Sequence, residues 1–468
     1  MSLNVTYSVI FSRARPNVIA IEASITPSAN IDGTVTDLLD GRSALRTSVN
    51  TKGLNTTNSS TIYSSVHPNG LANITAWVIS GTNFSNPYTN LSSRAEATGS
   101  YVSTNDSTIG QTFNISLREG QTATFYKYVG VASNDKFPDA QFQAQQAQAI
   151  AQEDGWATLL SEHISAWDEI LTKDSVDDFT DSVTGELPDS ADVEVLQIAS
   201  VANTFYLLQN LQPDGSGLND NSISVGGLYS DSYAGLVFWD ADYWMSPGLN
   251  LAFPGYAKQI SNFRLKQHPQ ALANAAFNNY SNGSSLYSWT SGRYGNCTGT
   301  GPCVDYEYHL NYDIANNLLQ QYNTTKNDTW FNNGPRQVIE STAVMTSHLL
   351  QYNASTKSYY LHNATDPDEY ANNVNNTAFT IASAAKLLTG ANWLRLEQGL
   401  SINETWSDQA ANIAFPTAPS NITLEYLGMN DSVAVKQADV VLLTYPLDYA
   451  NNYTAEKKLL DLDYVSPP

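Results

Sequence analysis

Cysteine and basic residues are scarce in this chain of 468 residues, and both scarcities exclude classes of function. Only two cysteines occur, and the six histidines lack the spacing of a metal site, so we expect no bound metal. Lys and Arg number 22 against 45 Asp and Glu, which gives a formal charge of −23. This balance argues against binding to nucleic acid or anionic membranes, because both need basic patches.

Long apolar runs and common cofactor motifs are also missing. No stretch of about 18 apolar residues predicts a membrane span, and residues 1–6 lack the charged and apolar regions of a signal peptide. There is no Gly-rich phosphate loop and no Gly-x-Ser-x-Gly elbow. We therefore expect no cofactor.

Glycosylation sequons of the form Asn-x-Ser/Thr are abundant and occur at about twenty positions. An Asn-rich chain forms some of them by chance, but their density predicts N-linked glycans on a protein secreted to the cell wall or periplasm, or sent to a vacuole. Because no signal peptide is present, we expect the sequence to begin inside a longer precursor. Examples of the sequons are Asn4, Asn55, Asn73, Asn114, Asn296, Asn363, Asn421 and Asn452.

The first part of the chain alternates short apolar runs with Gly, Asn, Ser and Pro. Alternation with a period of two, punctuated in this way, predicts antiparallel strands of a β-sandwich over residues 1–135. A chain of 468 residues is also longer than one core usually supports, so we expect further domains. The predicted strands include the runs that start at Val5, Val18, Ala76 and Thr124.

Helical spacing begins after Pro138. Residues 140–152 are rich in Gln and Ala, which favour helices, and the apolar residues that follow recur every three or four positions. We predict a helical segment over residues 136–175 and a helical domain over residues 176–468, with long loops between its helices. The apolar positions that carry this prediction are Leu160, Ile164, Trp167 and Leu171, then Ile198, Val201, Phe205 and Leu208, then Ile314, Leu318 and Tyr322, and finally Ala378, Ile381, Ala385 and Leu388.

Two loop clusters combine aromatic rings with carboxyl groups. The first is residues 237–245, in which Asp240 and Asp242 are flanked by Phe238, Trp239 and Trp244. Aromatic faces stack on pyranose rings and carboxylates accept hydrogen bonds from sugar hydroxyls, so this composition suits a sugar site. An aromatic core cluster with capping Asp residues is the competing interpretation.

The second cluster is residues 305–313, where Glu307 lies between tyrosines just before a predicted helix. Desolvation by these rings can hold a carboxyl group protonated, which a general acid toward a glycosidic oxygen needs. The dipole of the following helix favours the anion instead. An N-cap role is the competing interpretation, and it suits Asn311 or Asp313 better than Glu307.

Three further patterns have less specific interpretations. Residues 366–370 have the composition of an Asx-rich turn. Lys436 and Gln437 precede an apolar run, either as an ordinary amphipathic start or as hydroxyl donors in a pocket. Cys297 and Cys303 enclose five residues, two of them glycine, and we expect them to form a disulfide in an oxidising compartment.

Taken together, six blocks of the sequence resemble glycoside hydrolase family 65, and within it the acid trehalases rather than the disaccharide phosphorylases. The likeness also includes the helical segment at residues 155–167. The blocks occur in the order expected of the family, at residues 226–228, 238–242, 289–292, 307–311, 367–370 and 436–439.

The resemblance implies a β-sandwich, a helical linker and an (α/α)6 barrel whose loops form the active site. It implies inverting hydrolysis of α,α-trehalose, or of a related α-linked diglucoside, to glucose. In this mapping Glu307 is the general acid. The substrate contacts that it implies are Phe238, Trp239, Asp240, Asp242, Trp289, His309, Lys436 and Gln437.

In the family, the residues that position the nucleophile follow the block at residues 436–439. We therefore expect the general base beyond Pro468, and both the sandwich and the barrel to be incomplete in this sequence. Two other functions stay open, namely a family 65 phosphorylase that cleaves with phosphate and a carbohydrate-binding surface glycoprotein without catalysis. A small disaccharide is the expected ligand, and a homodimer is left open.

Overall fold

The chain forms two compact units in the computed structural model, Met1–Lys173 (unit 1) and Asp174–Pro468 (unit 2). The structure describes residues 2–55, 57, 60–84, 86–103, 105–172, 174–213, 216–218, 220–299, 301–430, 433–449 and 453–465. The sequon at Asn452 lies outside the described residues.

Unit 1 is an antiparallel β-sandwich. Its larger sheet has the strand order β1-β2-β9-β6-β5-β4, and its smaller sheet has the order β3-β8-β7. The predicted period-2 runs all lie in these strands. The strands are β1 Leu3–Phe11, β2 Val18–Pro27, β3 Ile31–Leu39, β4 Thr47–Leu54, β5 Thr61–Pro68, β6 Ala76–Asn83, β7 Thr89–Glu96, β8 Ile109–Leu117 and β9 Ala123–Ser133.

The two sheets enclose an aromatic core. Phe84 packs edge-to-face on Phe113 and on Phe125, with ring centroids 5.4 Å apart in both pairs. Burial of three such rings is a large hydrophobic contribution for one sandwich. This core therefore holds the smaller sheet against the larger one.

Helix α1, Ala140–Asp168, covers the other face of the larger sheet. It begins at Asp139, whose side chain accepts a hydrogen bond from the Phe142 N–H. The helix approaches β9 so closely that a Cβ at Gly130 would lie 2.0 Å from the Ala144 carbonyl oxygen. The predicted apolar face included Leu171, but the helix ends at Asp168. Leu171 therefore lies outside the helix, in the segment that follows it.

Unit 2 is mainly helical. Its helices are α2 Ala191–Leu208, α3 Ser246–Ala252, α4 Pro254–Phe277, α5 His309–Thr325, α6 Asp328–Asn332, α7 Pro335–Leu349, α8 Ala378–Glu397, α9 Glu404–Ala411 and α10 Ala455–Val465. A short hairpin of β10 Gln351–Asn353 and β11 Ser358–Tyr360 follows α7. The prediction of an antiparallel β domain followed by a helical domain is confirmed.

The core of unit 2 lies between α5, α7 and α8. Ile314 and Leu318 of α5 pack with Ile381 and Leu388 of α8, and all four side chains are fully buried. This confirms the predicted helical faces at these positions. The segments that precede α3, α5 and α8 carry the aromatic and carboxyl clusters, so the packing of the three helices brings those clusters together.

Among the described helices, none is both long and apolar enough for a membrane crossing.

Candidate active site

Aromatic rings from three segments of unit 2 surround the imidazole of His309. The ring centroid of Trp239 lies 4.9 Å from that of His309, and those of Trp289 and Phe379 lie at 5.3 and 5.5 Å. Phe238 extends this wall, since its centroid is 5.9 Å from that of Trp289. Trp239, Trp289 and Phe238 remain partly exposed, so their rings can contact a ligand.

Glu307, His309 and Asp313 form a line of charged groups at the start of α5. Nδ1 of His309 is 2.8 Å from Oδ2 of Asp313, and Nε2 is 3.5 Å from Oε2 of Glu307. His309 and Asp313 have no exposed side-chain surface, whereas that of Glu307 is 14% exposed. Glu307 is thus the member of this line that a ligand can reach.

Burial and charge act in opposite directions on His309. Burial alone would lower the pKa of the imidazole, but Asp313 and Glu307 outweigh it and raise the pKa to about 10. Burial raises the pKa of Asp313 to about 6, although the His309 charge opposes the rise. At neutral pH His309 is therefore a buried cation beside the Glu307 carboxyl group.

The competing N-cap interpretation for Asn311 and Asp313 is wrong. α5 begins at His309, so both residues lie inside the helix. Oδ1 of Asn311 accepts a hydrogen bond from the Tyr287 N–H at 2.8 Å. Asp313 is one helical turn below His309, and residues four apart in a helix share a face.

Asp240 and Asp242 have different surroundings. Asp240 is half-buried, and burial raises the pKa of its carboxyl group. Asp242 is 1% exposed and pairs with Arg264, whose Nη2 lies 2.5 Å from Oδ2 of Asp242. Asp240 can reach a ligand, whereas the predicted sugar contact of Asp242 stays a prediction that its burial does not favour.

Arg264 of α4 connects the segments around the aromatic wall. Its Nη1 donates to Oγ of Ser291 at 3.0 Å, and its Nη2 donates to the carbonyl oxygen of Phe238 at 2.9 Å. Its Nε donates to Asp242 at 3.0 Å. One buried guanidinium therefore fixes both segments that carry the aromatic rings.

Lys436 and Gln437 lie on an exposed segment. The Lys436 ammonium pairs with the carboxylate of Glu369, and the two side chains are 43% and 61% exposed. The Lys436 N–H donates to Oδ1 of Asp368 at 2.9 Å, which ties residues 366–370 to this segment. Gln437 is exposed, and its predicted contact with sugar hydroxyls stays a prediction.

Residues 366–370 form the predicted Asx turn, since Oδ1 of Asp368 accepts from the Tyr370 N–H at 3.2 Å. They also hold part of a buried acidic cluster, which we define as Asp366, Asp368, Glu425 and Asp439. Each member is at most 4% exposed. Oδ2 of Asp439 accepts from the Asp368 N–H at 3.2 Å, and Asp366 accepts from the N–H groups of Phe379 and Thr380 in the first turn of α8.

Within the acidic cluster, Glu425 and Asp439 bind protons more tightly than ordinary carboxyl groups do. Burial, followed by repulsion and a hydrogen bond from Asp368, raises the pKa of Glu425 to about 8. Burial, followed by repulsion from Asp366 and Glu425, raises the pKa of Asp439 well above its ordinary value. Two carboxyl groups in hydrogen-bond contact need a proton between them, so the cluster is partly protonated at neutral pH.

A cavity of about 740 Å³ lies along α5 inside unit 2. Its lining includes Asp242, Asp313, Asn316, Asn317 and Lys386. Buried polar atoms of Asn316, Asn317 and Asp313 have no hydrogen-bond partner within the described structure. Asp242 and Asp313 thus lie between this cavity and their charged partners, Arg264 and His309, and contact both.

Cys297 and Cys303 form the predicted disulfide, with their Cα atoms 5.2 Å apart. In the described part of the chain, no three His, Cys, Asp or Glu side chains converge in a way that could hold a metal ion.

The structure brings five of the predicted site residues together, but the sequence did not indicate the residues that support them. The five are Phe238, Trp239, Trp289, Glu307 and His309. Arg264 lies in the middle of a helix, and no local pattern marks it. Glu369 was interpreted only as part of a turn, and its pairing with Lys436 was not predicted. Asp313 carried a usable signal, because it follows His309 by four residues in a predicted helix.

Known proteins match the chain over both units. The N-terminal domain of glycosyl hydrolase family 65 matches residues 1–170, and the central catalytic domain of that family matches residues 202–415. An acid trehalase of Emericella nidulans is 40% identical over 99% of this chain, and a cell wall acid trehalase of Arthroderma benhamiae is 39% identical over 99%. The chain spans 45% of the length of each of these two relatives.

The fold has a solved counterpart. A putative kojibiose phosphorylase from the human microbiome superposes with a TM-score of 0.76 at 13% identity, over 98% of this chain and 63% of that one. At this identity the likeness concerns the fold alone.

Proposed function

Since this chain belongs to glycosyl hydrolase family 65, we propose that it binds and hydrolyses α,α-trehalose with inversion at the anomeric carbon. The observation that carries the proposal is the partly exposed carboxyl group of Glu307 beside the wall of Phe238, Trp239 and Trp289. The two acid trehalases that match nearly all of the chain support this choice of substrate.

Sugar binding would use the partly exposed rings and the half-buried carboxyl group of Asp240. Aromatic faces pack on the C–H faces of glucose, and a carboxylate can accept hydrogen bonds from two neighbouring hydroxyls. Lys436 and Gln437 would donate to further hydroxyls from the exposed edge. Asp242 and His309 would act through their neighbours, because neither has exposed surface.

Glu307 is our first candidate for the general acid. The acid would donate its proton to the oxygen between the two glucose units as the bond breaks, and water would attack the opposite face of the ring. The His309 cation stabilises the carboxylate that remains after this transfer.

Glu369 is a second candidate for the same role. It is adjacent to the buried Asp368 and pairs with Lys436, and its side chain is 61% exposed, so a ligand could reach its carboxyl group. A sugar hydroxyl that displaced it from Lys436 would leave a free carboxylate, which could take a proton from solvent and then donate it to the leaving oxygen. We assign no residue as general base, since Glu425 and Asp439 are too buried to contact an attacking water.

The two acid candidates can be separated with two substrates. In the protein that carries this chain, Glu307→Gln and Glu369→Gln would each be assayed on trehalose and on α-glucosyl fluoride, whose leaving group needs no proton. Loss of the true general acid should lower kcat on trehalose by about 10²- to 10⁴-fold while sparing the fluoride. If both variants hydrolyse trehalose at the normal rate, neither residue is the acid and the proposed mechanism fails.

Two other functions make different predictions for the same assay. A phosphorylase would release glucose only when phosphate is added, and a carbohydrate-binding protein would bind trehalose without releasing glucose. No observation favours either one over hydrolysis, and the likeness to a putative phosphorylase concerns the fold.

We further propose that the protein is secreted and carries N-linked glycans. The Arthroderma benhamiae relative is described as a cell wall protein. The sequon residues Asn4, Asn73, Asn296 and Asn363 are all exposed, so a transferase can reach them. Endoglycosidase treatment of the protein from its native source should lower its mass. An unchanged mass would contradict the glycan proposal.

A further inference from the structure

The Cys297–Cys303 disulfide closes a small ring against one edge of the aromatic wall. The Trp289 N–H donates to the carbonyl oxygen of Cys303 at 2.6 Å. The Thr290 hydroxyl donates to the Thr298 carbonyl oxygen, and the Thr298 hydroxyl donates back to Thr290 O at 3.4 Å. The ring is therefore hydrogen-bonded along the segment that carries Trp289.

The opposite edge of that segment holds the first aromatic cluster. Val237 and Ser291 exchange two backbone hydrogen bonds, each 2.9 Å long. The ring also packs on Leu236, since a Cβ at Gly299 would lie 2.9 Å from Cδ1 of Leu236. The Trp289 segment is thus held between the disulfide ring and the chain that leads to Phe238 and Trp239.

The chain that leaves the ring reaches Glu307 after four residues, and its backbone is unusual. Cys303 has a φ of 63° and Tyr306 has a φ of 69°, a left-handed region that residues with a Cβ rarely adopt. Such conformations persist only where the surroundings hold them. The disulfide supplies a covalent anchor at Cys303, and the Thr365 N–H donates to the Tyr306 carbonyl oxygen at 3.0 Å.

We propose that the Cys297–Cys303 ring is a positioning element of the sugar site, which fixes Trp289 through hydrogen bonds and Glu307 through the left-handed segment 303–306. The ring itself touches no reacting atom in this proposal. Its consequence for turnover rests on the proposed function, whereas its consequence for Trp289 does not. Opening the ring should loosen both sides of the site while the buried helices of unit 2 stay packed.

The test compares the oxidised protein with the same protein after reduction. Dithiothreitol supplies two electrons and two protons to the disulfide, which becomes two thiols, and the reagent is oxidised to its cyclic disulfide. We expect kcat/KM on trehalose to fall by about 10- to 100-fold, because small misplacements of binding and catalytic groups have effects of this size. Reoxidation should restore it.

A double cysteine variant and a variant that removes one side-chain hydroxyl serve as controls. Cys297→Ser with Cys303→Ser should match the reduced protein and should not respond to dithiothreitol. Thr290→Val removes the Thr290 hydroxyl contact but keeps the disulfide, so it should raise KM less than reduction does. Circular dichroism melting would be followed in every sample. An activity loss that coincides with unfolding of the helices would contradict a positioning role.

A readout without turnover separates this inference from the proposed function. Trp289 fluorescence should be quenched by bound glucose in the oxidised protein, and Trp289→Phe identifies its share of the signal. Reduction should weaken the affinity that this quenching reports. If oxidised and reduced proteins bind glucose equally and turn over trehalose equally, the positioning role is refuted. If reduction weakens glucose binding in a protein that never hydrolyses trehalose, the result would support the positioning role of the disulfide ring and reject the enzymatic proposal.

Discussion

Replacing Arg264 with Met should strongly destabilise unit 2. Arg264 has no exposed surface, and it is the ionic partner of Asp242, which is 1% exposed. Methionine fills a similar volume but leaves a buried carboxylate without a cation. Removing one partner of a buried ion pair costs about 3–5 kcal/mol. The hydrogen bonds to Ser291 and Phe238 are lost as well, so we expect a value in the upper part of that range.

The pH dependence of this loss has a definite sign. Burial already raises the pKa of Asp242, and Arg264 opposes the rise. Without Arg264 the folded-state pKa of Asp242 should rise further. The folded variant then gains a proton that the unfolded chain has released, so its deficit should be largest at neutral pH and should shrink as the pH falls toward about 4.

Urea unfolding followed by tryptophan fluorescence measures the effect. Lys266→Met, on the same helix, is the matched control because Lys266 is half-exposed and lies 3.5 Å from Asp220, and its loss should cost less than about 1 kcal/mol. Adding Asp242→Asn to the Arg264→Met variant should recover part of the stability. A cost below about 1 kcal/mol for Arg264→Met, or no recovery in the double variant, would refute this reasoning.

Three further predictions concern titration and glycans. Burial and repulsion from Asp368 raise the pKa of Glu425 to about 8, so the free energy of unfolding should fall as pH rises from about 4 to about 8, and Glu425→Gln should flatten this fall by about one proton in denaturation curves. If the free energy of unfolding falls with pH as steeply in Glu425→Gln as in the unmodified protein, Glu425 does not hold the raised pKa that we assign to it. Asp313→Asn removes the largest charge that counteracts burial at His309, so the imidazole pKa measured by NMR should drop well below about 10. An unchanged imidazole pKa would mean that Asp313 does not stabilise the His309 cation. Asn296→Gln should remove the mass of one glycan from the native protein, and an identical mass would show that this sequon is unused.

Local patterns were sufficient where the structure depends on local periodicity. The runs around Val5 and Val18 identified strands, because β-branched and aromatic residues punctuated by Gly, Asn, Ser and Pro favour strands. The alternation did not identify a buried face in β1, where Val5, Tyr7, Val9 and Phe11 are all exposed. The spacing of Ile314 and Leu318 identified the buried face of α5, because a helix with one apolar stripe must pack that stripe inward. The disulfide followed from two cysteines in one short Gly-containing loop.

The charged supports of the site could not be predicted in the same way. Asp242 and Arg264 are separated by 22 residues, and only the packing of α4 brings them together. The contact between Asp368 and Glu425 spans two loops that share no sequence pattern. Leu171 fitted the helical period, yet α1 ends at Asp168, because periodicity does not define where a helix stops.

The stereochemistry of trehalose cleavage tests the central claim most directly. Proton NMR would follow the anomers of glucose in the first minutes after trehalose is added to the protein that carries this chain, in phosphate-free buffer. Inverting hydrolysis predicts equal initial amounts of α- and β-glucose, because the attacked unit inverts and the leaving unit does not. Initial release of α-glucose alone, or no release without phosphate, would contradict the account.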